Sequence, residues 1–417
     1  MSDICRIIDC EHKTAPHEEP GIPSIRTPNI GKGRLILENV NRVSQRTYQE
    51  WTRRAEPQPG DLIMAREAPV GNVAIVPRNL KMCLGQRTVL IKPNRQKVSP
   101  EFLNYLLNSS GVNSYLLALS NGSTVEHLNV TDIRQLSLPR LPSLPTQQKI
   151  AGVLSAYDDL IENNKRRIAI LEKMAEEIYR EWFVRMRFPG YEKTKFRKGL
   201  PERWAYSPSS SVLRIMGGGT PKTDVIGYWN GEIPFFTPKD AGSGFYVLDT
   251  EKHITEDGLN KCNSALYKKN TIFMTARGTV GKIALCLCDM AMNQSCYALE
   301  PKHSEDVYFH FLAMKDSIKY IKGISKSGVF DNIIVDTFDV IPLLIPTDDL
   351  VEKFNKLMEP LFKDLHILIT TDSRLIVSRD LLLSRLITGK LSVEDLDIKF
   401  PPSMRNTELA EEKEADA

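Results

Sequence analysis

The 417-residue chain has no uninterrupted apolar run near the roughly 20 residues that a membrane-crossing helix needs. Its opening, Met1-Ser2-Asp3-Ile4-Cys5-Arg6, has no basic stretch leading into an apolar one, so secretion is not expected. The seven cysteines are an odd number scattered between positions 5 and 296, which fits reduced thiols in a cytoplasm better than a disulfide framework. Signatures of catalysis are missing as well. Gly281-Lys282 is followed by Ile283 instead of Ser or Thr, and Gly217-Gly218-Gly219 lacks the spacing of a dinucleotide-binding loop. No Asp/Asn-Pro-Pro-aromatic tetrapeptide of amino-methylating DNA enzymes occurs. Cys286 and Cys288 stand two apart with no second pair, and none of the seven histidines falls in a His-Glu-x-x-His pattern, so no metal site is expected. On these grounds the chain is not an enzyme by itself.

What is present is ordinary globular material, 41% hydrophobic and 26% charged, with an uneven charge distribution beneath a net +3. Residues 406–417 carry five acids against Lys413 alone, which leaves +7 on the rest. Between Ser24 and Lys97 there are fourteen basic and five acidic residues; between Arg214 and Lys282 the counts are nine and seven. Excess cationic charge of this kind attracts polyphosphates by counterion release.

The order of the sequence repeats at a spacing near 205–211 residues. Ile22-Pro-Ser-Ile-Arg-Thr-Pro is followed by Ile233-Pro-Phe-Phe-Thr-Pro, and Asp61-Leu-Ile-Met-Ala-Arg66 by Thr271-Ile-Phe-Met-Thr-Ala-Arg277. Val70-Gly71 matches Val280-Gly281, and Gln86 and Gln294 each stand near a proline seven residues on. Apolar residues at helical spacing then follow at Phe102 and Tyr308, polar loops at 120–122 and 325–328, and proline-flanked strands at Leu136–Pro142 and Val340–Pro346. Each copy is expected to be a mixed α/β domain, giving an α+β chain.

A long helical stripe closes each copy. Leu154, Tyr157, Ile161, Asn164, Ile168 and Leu171 alternate steps of three and four, the seam of a coiled coil with one polar member. At 1.5 Å per residue, 146–187 would extend roughly 60 Å, and so narrow a stripe needs another helix to cover it. The second stripe runs through Leu361, Leu365, Leu368, Leu375 and Leu382. Asp372 and Arg379 interrupt it, so a shift toward Ile369, Ile376 and Leu383 is expected, with a kink or restart at Pro360 and a stop at Gly389. The division that follows is domain 1 at 1–145, helix 1 at 146–187, linker at 188–203, domain 2 at 204–346, helix 2 at 347–395 and a disordered acidic tail at 396–417. Paired antiparallel, the helices would hold the two similar domains apart about a pseudo-two-fold axis.

Candidate nucleic-acid contacts come from the repeated blocks. Arg66 and Arg277 precede a Val-Gly turn at a strand end, where a guanidinium can bind phosphate or pair with guanine O6 and N7. Lys13, Arg26, Lys222, Lys239, Lys282 and Lys326 lie in polar loops suited to phosphates, Gln86 and Gln294 can read adenine edges, and Ser123 and Thr124 can donate to phosphate.

Several tracts resemble the specificity subunit of type I restriction–modification systems: Leu141-Pro-Ser-Leu-Pro-Thr-Gln-Gln-Lys-Ile-Ala151, Asp158-Asp159-Leu-Ile161, Lys173 to Phe183, Gly199-Leu-Pro-Glu-Arg-Trp204, Thr237-Pro-Lys-Asp240, Ala276-Arg-Gly-Thr-Val-Gly281 and Asn293-Gln294. The resemblance covers about residues 3–395. Thr146 stands where that family usually has Glu, and nothing before Ile7 matches Leu200 to Trp204, so the first domain either lacks a peripheral strand or begins late. The resemblance implies two target-recognition domains, each reading one part of a split double-stranded DNA target, with the helices setting the unread spacer. It further implies two methyltransferase subunits docked on the helices and an ATP-dependent restriction translocase. S-adenosylmethionine, ATP and Mg2+ would then belong to those partners, with none held by this chain and no membrane involved. Two other readings stay open on the residues: a coiled-coil interaction protein without DNA specificity, and a self-sufficient DNA methyltransferase or nuclease.

Overall fold

A computed structural model describes residues 1–120, 126–302, 306–324 and 332–405. The chain packs as two units, Met1–Ile161 with the chain from Leu375 onward, and Glu162–Arg374. The first contains β1 (Cys5–Asp9), β2 (Ile22–Ile25), β3 (Arg42–Val43), α1 (Gln45–Trp51), β4 (Leu62–Ala65), β5 (Val73–Ile75), β6 (Cys83–Leu84), β7 (Thr88–Pro93), α2 (Pro100–Asn108), α3 (Ser110–Ala118), α4 (Val130–Gln135) and the start of α5 (Leu144–Tyr179). Its main sheet is antiparallel in the order β1-β7-β4-β5, beside a small sheet β3-β2-β6 in which β2 and β6 are parallel.

The second unit contains β8 (Phe196–Arg197), β9 (Leu200–Pro201), β10 (Ala205–Pro208), α6 (Ser209–Val212), β11 (Leu213–Gly217), β12 (Trp229–Phe236), β13 (Tyr246–Val247), β14 (His253–Ile254), α7 (Glu256–Asn260), β15 (Ile272–Thr275), β16 (Ile283–Cys286), β17 (Ala291–Met292), β18 (Cys296–Pro301), α8 (Val307–Ile324), β19 (Pro342–Ile345) and most of α9 (Asp348–Ile387). Its sheets, β11-β18-β15-β16-β13 and β14-β12-β17, repeat the first unit's order with β13 added, and β12 and β17 are again parallel. Two copies of one topology are therefore present.

The central strands are apolar on both faces because both are covered. In β4, Leu62 and Met64 face the helices, whereas Ile63 and Ala65 face the small sheet. In β15, Ile272 and Met274 face the helices and Phe273 the small sheet. The helix-side core of the first unit includes Leu154 from α5 and Leu386 from α9; that of the second includes Tyr179 and Phe354 from the same two helices. In the second unit Glu172 of α5 is buried enough to raise its carboxyl above the usual range, and it accepts a hydrogen bond from the Phe245 backbone at 2.6 Å.

Within each unit α5 and α9 run antiparallel, and the polar seam positions find each other. In the first unit the Arg379 guanidinium donates to Asp158 at 2.6 Å, and the Tyr105 hydroxyl of α2 donates to the same carboxylate at 2.5 Å. In the second, Asn164 donates to Asp372 at 2.8 Å, both side chains buried. The expected shift of the stripe does not occur: Ile376 is 37% exposed, while Asp372 stays in the seam at 7% because Asn164 satisfies it. Leu154, Ile161, Leu365 and Leu368 are buried, and Tyr157, Ile168, Leu171, Leu361, Leu375 and Leu382 are half-buried.

Other expectations need correction. Helix 1 begins at Leu144 and ends as α-helix at Tyr179, continuing as a π-turn over Arg180–Val184 that brings Phe183 into the core beside Phe309 and Phe354. Pro360 neither breaks nor restarts α9, which ends at Ile387 before Gly389 at φ +70°. Part of 188–203 is the hairpin β8–β9, turned by Lys198 and Gly199, both at positive φ as a tight two-residue turn requires. Leu136–Pro142 forms no strand because no strand lies alongside it, whereas Pro342–Ile345 pairs with β10. The segment 396–405, expected to be disordered, lies as a strap on α5. Ile398 and Phe400 sit so close to Gly152 that a Cβ there would meet them at 3.1–3.3 Å, and the Ser403 backbone donates to Asp159 at 3.2 Å. The acidic stretch 406–417 lies outside the described residues.

Burial raises the carboxyl of Asp372 above its ordinary 3.8, against the opposing hydrogen bond from Asn164. A carboxyl whose folded pKa is raised destabilises the fold as pH climbs past its unfolded value and on through the folded one. Asp372→Asn, which keeps the acceptor for Asn164, should therefore raise the unfolding midpoint at pH 7, with the gain vanishing below pH 3.8. Thermal melts across that range decide it; a variant less stable than the parent at pH 7 contradicts this account of the seam.

Candidate nucleic-acid interface

Sheet topology gathers loops at one end of each unit. β1 and β4 both run antiparallel to β7, so both finish where β7 begins. β2 and β6 finish at the same place, since the Gly85 backbone donates to Ile25 at 2.7 Å and that of Arg66 to Arg87 at 2.9 Å. The loops after β1, β2, β4 and β6 therefore converge. In the second unit the loops after β11, β12, β15 and β17 converge likewise, with Asn293 N bonded to Phe236 O at 3.0 Å and Ala276 N to Ser295 O at 2.8 Å.

The same local devices hold both clusters. Asn29 accepts from the Arg26 backbone at 3.2 Å, and its counterpart Asp240 accepts from Thr237 at 2.7 Å. Ser44 caps α1 and Thr255 caps α7. Gly71 at φ +79° and Gly281 at φ +70° turn the chain after β4 and β15, where a left-handed backbone favours glycine. The Gln86 amide donates to the His12 carbonyl at 2.9 Å, and Gln294 accepts from the Thr220 hydroxyl. Both glutamines thus tie the loop before the last sheet strand to the loop after the first.

These equivalences separate Arg66 from Arg277. β4 and β15 align so that Ala65 matches Thr275; Gly71 N bonds Ala65 O at 2.9 Å and Gly281 N bonds Thr275 O at 2.7 Å. Arg66 therefore matches Ala276, and Arg277 matches Glu67. Side chains alternate faces along a strand, so a one-residue offset sends the two arginines in opposite directions. Arg66 follows Leu62 and Met64 onto the helix-covered face, where it is 7% exposed. Its Nε donates to the Leu128 carbonyl at 2.8 Å, Nη1 to Asp9 at 3.2 Å, and Nη2 to His127 Nε2 at 2.7 Å. Arg66 is a buried structural ion-pair member, with each of its three guanidinium nitrogens engaged inside the fold. Arg277 is exposed and, among the described residues, makes no ion pair.

Lys13, Arg26, Lys222 and Lys239 are exposed in the converging loops. Lys282 is exposed as well, but its ammonium caps the Ala241 carbonyl at 2.7 Å. Ser123, Thr124 and Lys326, with most of the polar loops around them, lie outside the described residues. The structure adds two cations that sequence reasoning passed over, Arg54, which donates to the Cys10 carbonyl at 3.0 Å, and Arg87, paired with Glu67 at 2.7 Å. Arg87 was findable from its place next to Gln86; nothing local marked Arg54.

Among the described residues, Asp9, Cys10 and His12 bring possible metal ligands within 4.8 Å of one another. They fit a cation poorly: Arg66 already holds Asp9, and burial raises the Cys10 thiol above its ordinary pKa. Burial likewise pushes Cys5, Cys286 and Cys296 up to about 12, which keeps them protonated and poorly nucleophilic. All seven cysteines are unpaired, and no helix among the described residues is long and apolar enough to cross a membrane.

A duplicated α/β unit with a converging, cation-bearing loop cluster in each copy, each copy followed by a long helix, defines a class of bipartite recognition proteins. The model of the type I restriction modification DNA specificity domain matches residues 2–173 and again 201–370, so the chain belongs to that family. It is 28% identical over 374 residues to the type I restriction enzyme MjaIX specificity subunit of Methanocaldococcus jannaschii, covering 87% of this chain and 84% of that one. To the HindI specificity subunit of Haemophilus influenzae it is 23% identical, covering 89% and 95%. The crystal structure of a type I S subunit from M. genitalium shares the fold at a TM-score of 0.56 and 18% identity, over 92% of this chain and 94% of the other.

The inward spot filled by Arg66 and Asp9 in the first unit holds Ala276 and Gly217 in the second, an ion pair in place of two small residues. Arg66→Ala should destabilise the chain by about 2–3 kcal/mol, because Asp9 is left without its charge partner. Adding Asp9→Gly should recover much of that loss. Denaturant melts of the single and double variants test it; losses that simply add would show the two side chains to be uncoupled.

Proposed function

We propose that this chain is the DNA-sequence specificity subunit of a type I restriction–modification complex, each unit reading one part of a split target in double-stranded DNA. The carrying observation is that a single loop-cluster architecture occurs twice, each time with exposed cations at its strand ends. Residues on two such clusters can address two short words, while phosphate contacts from lysines fix position without reading sequence. In this reading α5 and α9 set the spacer between the words and dock two methyltransferase subunits, and an ATP-dependent restriction translocase joins them. Methylation and cleavage, with S-adenosylmethionine, ATP and Mg2+, are the partners' business. The protonated thiols and the absence of nucleotide-binding spacing in the sequence support a non-catalytic role.

Genome-wide mapping of methylated bases, in cells carrying the modification subunits with and without this chain, is the direct test. Methylation at a two-part word only when the chain is present is the expected result. DNA methylated by the purified chain alone would overturn the non-catalytic reading. Binding by the assembled complex that is indifferent to scrambling of the word would reduce it to an interaction protein. One heptad added to both α5 and α9 lengthens each by about 10 Å. The tolerated spacer should then grow by about three base pairs at 3.4 Å each, with both words unchanged. An unaltered spacer would remove the helices as its determinant.

A further inference from the structure

Arg87 sits at the centre of the first unit's loop cluster, directly after the bracing Gln86 and before β7. It is one of few residues other than glycine with a left-handed backbone, at φ +63°. That conformation costs stability in a residue with a Cβ, and an exposed surface ion pair returns little of it. Its guanidinium is 63% exposed, yet it is held in place: Nη1 contacts Glu67 at 2.7 Å, and the Glu67 side chain is only 15% exposed.

Glu67 is fixed in turn. Arg66 can only donate, so His127 Nε2 accepts from it at 2.7 Å, and the proton on Nδ1 is then donated to Glu67 at 3.1 Å. Two hydrogen bonds and an ion pair thus link the buried Arg66 through His127 and Glu67 to the exposed Arg87. The ion pair occupies only one nitrogen of Arg87. Among the described residues Nε and Nη2 make no hydrogen bond, and together they form the edge that matches O6 and N7 of guanine. The second unit places its arginine on the equivalent rim differently: Arg277 stands at the position of Glu67, and Ser295 at that of Arg87. Of these two matched rim positions, each unit therefore fills one with arginine, on a different loop.

We propose that Arg87 reads a guanine in the part of the target bound by the first unit, and that Glu67 is the positioning residue that aims it. This rests on the reading of the chain as a DNA-specificity subunit.

The test selects bound sequences from a randomised double-stranded DNA library, using the full chain co-purified with its modification subunits. Arg87→Asn suits it because asparagine tolerates the left-handed backbone. The wild type should enrich a two-part word. Arg87→Asn should lose roughly 10- to 100-fold discrimination at one G·C position of one part, with the other part intact. Arg87→Lys, which keeps the charge but not the bidentate edge, should lose the same position, and it decides the matter if the asparagine variant fails to fold. Glu67→Gln should weaken preference at that position alone; a lower melting temperature with an unchanged word would make Glu67 merely structural. Arg87 variants with the wild-type word overturn the proposal. So does uniform weakening with a shallower salt dependence, which marks a phosphate contact. A wild-type complex that enriches no word at all would instead remove the DNA-specificity reading.

Discussion

A stripe only two residues wide in every seven cannot be buried against a sheet; it has to be covered by another helix. That constraint organises this chain. α5 and α9 pair antiparallel within each unit, and each unit's helix-side core is closed by residues from both. The first unit takes Leu386 and Val393 from nearly the far end of the chain, so it has no complete core until the last helix has returned. Either unit expressed without both helices would expose the apolar face that they cover. The polar seam residues sharpen the pairing: Asn164 meets Asp372 and Asp158 meets Arg379, and sliding one helix by a turn would leave each without a partner. Buried polar pairs of this kind add less to stability than to register.

Strand alternation does for the loop clusters what the seam does for the helices. It sorts positions into those that must fit the core and those that face outward. On the inward side the two copies solve one packing problem twice, with Arg66 and Asp9 in one and Ala276 and Gly217 in the other, and neither solution leaves a buried charge alone. On the rim the positions differ freely, Glu67 against Arg277 and Arg87 against Ser295, while the backbone bonds that shape the loops recur and the glutamine position braces both, donating in one copy and accepting in the other. Constant bracing with variable rim residues is what two reading heads for different DNA words require.

Much of this was legible in the sequence. The duplicated order of strands and the two long helices rest on apolar periodicity over many residues, and such patterns average out local exceptions. The shared fold class follows from them. What escaped depended on partners distant in sequence. Asp372 looked like a break in its stripe because nothing nearby announces Asn164, 208 residues earlier. Leu136–Pro142 has strand character, but a strand exists only where another lies beside it. Phe400 looks like part of a polar tail until Gly152 is seen to leave room for it. The misassignment of Arg66 was of another kind. Counting in twos from Leu62 puts it inward and Arg277 outward, so the information was present, and matching by residue type had overridden matching by register.

The same sorting separates attraction from reading. The first unit's excess of basic residues is largely tied down: Arg42 donates to the Gly21 carbonyl, Arg54 to that of Cys10, Arg95 to that of Pro59, and Lys92 to Asp61. A guanidinium bonded to a backbone carbonyl keeps its charge and still contributes to the field that draws in a polyanion. The donors it spends on that carbonyl are no longer available to a base edge. On the reading proposed above, base contacts fall to groups with donors to spare: in the second unit the exposed Arg277, Lys222 and Lys239, in the first Lys13, Arg26 and the open edge of Arg87. A chain arranged this way gains non-specific affinity from many residues and specificity from few. Changes at the few can then rewrite a target word without unbalancing the scaffold that holds them.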